Sequence, residues 1–141
     1  MTTVAPPLAL LAELTHRCPL SCPYCSNPLE LDARSEELDT TTWKRVLSEA
    51  KDLGILQIHF SGGEPTLRPD LAELINHAEG LGLYCNLITA AVSLTKNRVE
   101  ELKNAGLSHV QISFQGTEAD IADRIAGFKG AFARKTEAAR H

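Results

Sequence analysis

Cys18, Cys22 and Cys25 form a C-x3-C-x2-C cluster, three thiols within eight residues. Thiolates gathered so closely are ligands for a soft metal. A cubane iron–sulfur cluster has four irons, so three cysteines leave one iron without a protein ligand. An open metal position is a place for chemistry rather than only for structure. Gly62-Gly63-Glu64-Pro65 follows one helical pattern and one strand pattern later. Glycines allow close backbone approach, and a carboxylate accepts a bond from an ammonium. The segment therefore suits holding whatever binds the open iron. Two other readings stay open at this point. A zinc knot needs a fourth ligand, which His16 or Cys85 would supply, although C-x2-C pairs dominate zinc sites. Three ordinary buried cysteines would have no reason to cluster.

The elements that must position these residues follow from the apolar pattern. Leu8 to Leu14 is a short apolar run that reads as a buried strand. Pro19, Pro23 and Pro28 keep the cysteine loop out of helix. Asp39 or Thr40 caps a helix whose apolar stripe is Trp43, Val46, Leu47, Ala50 and Leu53. Ile55 to Phe60 is a second strand. Pro69 suits the first turn of a second helix, with Leu71, Leu74, Ile75, Ala78 and Leu81 on its buried face. Leu83 to Thr89 is a third strand, Thr95 to Ala105 a third helix, and Leu107 to Phe114 a fourth strand. Thr117 caps a last helical region, with Asp120 completing a variant capping box, and Gly127 and Gly130 break it. Lys129 to His141 again reads as helical.

Gly54, Gly82 and Gly106, spaced by 28 and 24 residues, each stand between a helical pattern and the next strand. This is a βα repeat and implies a parallel sheet. Right-handed crossovers put all strand C-terminal ends on one side. The cysteine loop and the Gly-Gly-Glu loop then share one face on adjacent strands, where α/β folds bind ligands. Four parallel strands do not close a barrel, and open strands at both edges are a liability. The expectation is the front part of a longer protein.

Bulk properties narrow the function class. The 141 residues suit one domain. A hydrophobic content of 43% and a charged content of 23% are those of a soluble globular protein. The net charge is −4 and no run of Lys or Arg forms a basic stripe, which argues against nucleic acid as a partner. The first seven residues carry no basic side chain, and the apolar stretch that follows is short and holds Glu13. That argues against a signal peptide and a membrane span. The expected location is the cytoplasm, where clustered cysteines bind metal rather than pair. Cys85 reads as a small core residue. His59 and His109 read as packed strand residues and His16 as a loop residue. Glu30, Asp32, Glu36 and Glu37 read as a solvated acidic stretch.

Cys18-x3-Cys22-x-Tyr24-Cys25 resembles the signature of the radical S-adenosylmethionine enzymes. The resemblance implies that Cys18, Cys22 and Cys25 hold a [4Fe–4S] cluster. Its fourth iron would be chelated by the amino and carboxylate groups of S-adenosylmethionine. Tyr24 would pack beside cluster and cofactor. Gly62-Gly63-Glu64-Pro65 is similar to that family's GGEP motif, which binds the methionine amino group. Asn86 and Thr89, and Ser113 and Gln115, would contact the cofactor from the ends of the third and fourth strands, the alternative being plain loop and capping polarity. The implied fold is α/β: a partial (β/α)6 TIM-like barrel of about four parallel βα units.

Glu13 to Cys18, Ser26 to Leu29, His59 to Gly62 and Gln111 to Gly116 further resemble the coenzyme PQQ synthesis protein E family, the PqqA peptide cyclases. That resemblance covers essentially all of residues 1–141 but only the front of the family's length. It implies a 5′-deoxyadenosyl radical that joins a glutamate side-chain carbon to a tyrosine ring in the PqqA precursor peptide. PqqD would present the peptide, and a flavodoxin-type protein would donate electrons. No catalytic residue is singled out. The family's last barrel strands and its auxiliary-cluster extension have no counterpart in this sequence. The alternatives are another radical S-adenosylmethionine enzyme that modifies peptides, or a cluster-binding fragment without turnover.

Overall fold

A computed structural model describes residues 4–26 and 34–141. Four strands alternate with helices: β1 Ala9–Glu13, α1 Thr40–Asp52, β2 Gln57–Ser61, α2 Leu71–Gly80, β3 Tyr84–Thr89, α3 Lys96–Asn104 and β4 His109–Ile112. Two helices follow, α4 Ala119–Ala126 and α5 Ala131–Ala138. The strands form one parallel sheet in the order β1-β2-β3-β4, a partial TIM-like barrel wall as expected.

Strand side chains alternate between the two faces of a sheet. On one face Ala12, Ile58, Phe60, Cys85 and Leu87 meet Trp43, Leu47 and Ala50 of α1, Leu74, Ile75 and Ala78 of α2 and Leu102 of α3. Register aligns Leu11, His59, Asn86 and His109 in one row on the other face. This inner face is polar and open: Leu11 is 55% exposed, whereas Phe60 on the neighbouring strand is fully buried. His59 is half-buried, its Nδ1 2.8 Å from Asn86 Nδ2, while His109 is exposed rather than packed.

Gly54, Gly82 and Gly106 all have left-handed φ, between +73° and +101°, just past α1, α2 and α3. Only glycine adopts that turn without strain, which is why these helices stop there. Asp39 caps α1 by accepting from the Thr42 N–H at 2.7 Å, while the Thr40 hydroxyl donates to Asp70. Two helix starts differ from expectation. Pro69 precedes the α2 N-cap, Asp70, and stands outside the helix, after Arg68 in the extended backbone that the residue before a proline favours. Neither Thr117 nor Asp120 caps α4, whose N-cap is Glu118 without a side-chain bond. Glu37 is not solvated either: it accepts from Thr15 and lies 3.6 Å from Arg17 and 3.9 Å from Arg68. Asn27, Pro28, Glu30 and Asp32 lie outside the described residues.

Candidate functional site

Three crossovers deliver their loops to the C-terminal edge of the sheet. The chain leaving β1 stays paired with the chain leaving β2. Leu14 N–H donates to Ser61 O at 3.0 Å, Gly63 N–H to Thr15 O at 2.7 Å and Glu64 N–H to Arg17 O at 2.7 Å. The cysteine loop therefore begins where the glycine loop is stitched to it. The stitch needs glycine: a Cβ on Gly62 would come within 2.5 Å of Thr15 O, and one on Gly63 would press still closer on Arg17 O. At the loop's other end Ser21 N–H donates to Ala126 O at 2.9 Å, and a turn joins Cys25 N–H to Cys22 O at 3.0 Å.

Cys18, Cys22 and Cys25 line one cleft of about 250 Å³ together with Gly62 and Gly63. All three are free thiols; Cys18 and Cys22 are half-buried and Cys25 is exposed. Burial pushes the Cys18 thiol up, with Glu64, Cys22 and Cys25 adding to the effect and a backbone bond near Leu20 opposing it. A soft cation among these sulfurs removes that burden, so the donor set suits a metal cluster. Neither proposed fourth zinc ligand joins them. Cys85 is fully buried on the helix-facing side, its thiol raised to about 11 by burial first and by Glu79 second. His16 lines a different cleft, beside Trp43 and Glu37. Among the described residues no three His, Cys, Asp or Glu side chains are gathered around a single-ion site.

The remaining expected residues separate into two groups. Tyr24, Ser113 and Gln115 line the cleft, Tyr24 at its mouth with 64% exposure. Thr89 lines it too, joined by Ser61, Ile88 and Ala90, which sequence reasoning passed over. Their signal is position alone: each lies at or beside the C-terminal end of a parallel strand. Asn86 does not reach the cleft; it is buried below it beside His59. Glu64 is fully buried behind the glycines. Its Oε1 accepts from the Thr66 N–H at 3.0 Å, the Thr66 hydroxyl at 2.6 Å and the Thr89 hydroxyl at 2.7 Å. Its Oε2 accepts from the Ala90 N–H at 2.8 Å. Three donors meet Oε1 and one meets Oε2. Glu64 thus clamps the β2 loop to the end of β3. Lys135 was also passed over. It is 1% exposed, and its Nζ donates to Ser113 O at 2.8 Å and to Gln115 Oε1. Its sequence signal is a cation in line with buried Ala131 and Ala138 at helical spacing.

Known proteins match this arrangement. The Radical SAM superfamily profile covers residues 12–141. A PqqA peptide cyclase of Bradyrhizobium diazoefficiens is 62% identical over 134 residues, which is 95% of this chain and 35% of that protein. One from Rhodopseudomonas palustris is 64% identical over 134 residues, again 95% of this chain and 36% of the relative. One from Gluconobacter oxydans is 61% identical over 140 residues, 99% of this chain and 39% of the relative. The chain thus spans a little over a third of these relatives. Among solved structures, Streptococcus suis SuiB bound to precursor peptide SuiA matches with TM-score 0.82 and 27% identity over 95% of this chain and 30% of SuiB. SuiB bound to S-adenosylmethionine matches with TM-score 0.77 and 27% identity, over 95% of this chain and 29% of that one. Three thiols and a double glycine on one cleft, on a parallel βα scaffold matched across residues 12–141, make this chain a member of the radical SAM superfamily.

Proposed function

We propose that this chain is the cofactor-binding front part of a radical S-adenosylmethionine enzyme of pyrroloquinoline quinone biosynthesis, a PqqA peptide cyclase. The observation that carries the reading is identity above 60% to proteins of that name across nearly the whole chain. Cys18, Cys22 and Cys25 hold a [4Fe–4S] cluster. Gly62 and Gly63, backed by Glu64, give their backbone to the methionine end of S-adenosylmethionine. Tyr24 covers the mouth of the cleft, and Ser113 and Gln115 meet the cofactor from the β4 side. When bound, the cluster and S-adenosylmethionine supply a 5′-deoxyadenosyl radical. The protein's own work is to bind and orient these groups and to keep side reactions out. The product is a bond between a glutamate side-chain carbon and a tyrosine ring in PqqA. PqqD would present the peptide, and a flavodoxin-type protein would be the electron donor. The strands that complete the barrel and any auxiliary-cluster extension belong to the rest of the enzyme. Among the described residues no helix is long and apolar enough to cross a membrane, and a reducing cytoplasm suits a cluster with an open iron.

A second reading is another peptide-modifying member of the superfamily, favoured by the likeness to SuiB in complex with a precursor peptide. Anaerobic reconstitution tests the cofactor site. The expected result is about four irons per chain and a changed electron-spin signal on adding S-adenosylmethionine. Bound zinc, or a cluster blind to the cofactor, overturns the reading. Mass spectrometry of PqqA after turnover by the complete enzyme decides between the two substrates.

A further inference from the structure

Lys135 has no role in the function proposed above, yet the fold gives it a costly place. An ammonium taken out of water is tolerated only when it is bonded. Lys135 is 1% exposed, and both acceptors of its Nζ, Ser113 O and Gln115 Oε1, belong to residues that line the cleft. An ammonium has three donors and no acceptor. The atom of Gln115 that meets it is therefore the carbonyl oxygen, and the Gln115 amide has one allowed orientation. Its NH2 group is turned away from Lys135. The helix that carries Lys135 is itself fixed, because the Asp123 carboxylate of α4 accepts from Gly130 N–H at 2.5 Å and Phe132 N–H at 2.8 Å. We infer that Lys135 is a positioning residue that fixes the Gln115 amide so that its NH2, not its carbonyl, meets an acceptor atom of the cofactor. Such an acceptor is a hydroxyl, a carboxylate or a ring nitrogen. Burial lowers the Lys135 pKa, and Cys22, Glu64, Cys18 and Asp123 oppose that shift.

The inference rests on the reading of the cleft as an S-adenosylmethionine site. Its test compares wild type, Gln115→Glu and Lys135→Met after anaerobic reconstitution. Gln115→Glu keeps an acceptor for Lys135 but replaces the NH2 by oxygen. Lys135→Met keeps an unbranched apolar stem and releases the amide. Iron content, thermal melting and the S-adenosylmethionine affinity, read from the cluster's electron-spin signal, are measured for each. Both variants are expected to load iron as wild type does. Gln115→Glu weakens cofactor binding by about tenfold or more, the scale of one hydrogen bond to a buried group. Lys135→Met weakens it by roughly three- to tenfold, because the amide is freed rather than removed. Affinity within about twofold of wild type in either folded variant overturns the inference. If Lys135→Met does not melt cooperatively, Lys135→Arg takes its place. That variant keeps donors for the same acceptors and is expected to bind within about threefold of wild type; a loss as large as that of Gln115→Glu then overturns the inference. A wild type that fails to load iron or to respond to S-adenosylmethionine defeats the functional reading itself, an outcome visible before any variant is compared.

Discussion

Glu64 shows how a functional motif also does structural work. The two obligate donors on its carboxylate sit on different oxygens, the Thr66 N–H on Oε1 and the Ala90 N–H on Oε2. Whichever way the amide of a glutamine were turned at this position, its NH2 would face a backbone N–H. Glu64→Gln is therefore expected to lower the unfolding free energy by about 2–3 kcal/mol, the cost of leaving buried donors unmet. Urea denaturation checks this, with a lower midpoint at unchanged slope; a midpoint equal to wild type contradicts the clamp. The gathering of the three cysteines with Gly62 and Gly63 on one cleft was legible in the sequence because it follows from local spacing and the βα repeat. Lys135 was not, because its partners lie 20 and 22 residues away and only the packing of α5 against the end of β4 brings them together. Asn86 misled for the opposite reason. It lies on a strand that leads to the site, but three residues short of the strand's end at Thr89.

At the scale of elements, glycine was the most dependable signal. Gly54, Gly82 and Gly106 each close a helix in the left-handed conformation that their position suggested. Caps were less legible, since a cap donated from another element leaves no local trace. The N-terminus of α5 is capped by Asp123 from α4, seven and nine residues back. Bonds from the Phe132 and Gly130 N–H groups hold the Asp123 carboxyl below its usual range. A carboxyl whose folded pKa is depressed adds stability above its unfolded value, about 3.9, and loses it as pH falls through the folded value. Asp123→Ala is thus expected to melt at a lower temperature than wild type near pH 7, and the gap is expected to shrink on acidification below about pH 4. Calorimetry across that range checks the sign; a gap that widens in acid contradicts the cap.

For the molecule as a whole, the parallel order β1-β2-β3-β4 followed from the repeat, and with it the gathering of loops on one edge. The division of the sheet into a packed outer face and an open polar inner face was less visible, because four short strands alternate too briefly to show which face water keeps. The two faces have different energetic weight. Phe60→Ala, on the packed face, is expected to cost about 3–5 kcal/mol. Leu11→Ala, on the inner face, is expected to stay within about 0.5 kcal/mol; equal losses in denaturant titrations would contradict the assignment of faces. The bond from Ser21 N–H to Ala126 O has a consequence in time. A chain made from its N-terminus presents the three cysteines long before α4 exists, and domains settle as their later parts emerge. The first anchor of the cysteine loop arrives with Gly63 and Glu64, the second only with Ala126. The metal-binding segment is synthesised among the first and secured among the last, so the order of assembly runs against the order of translation.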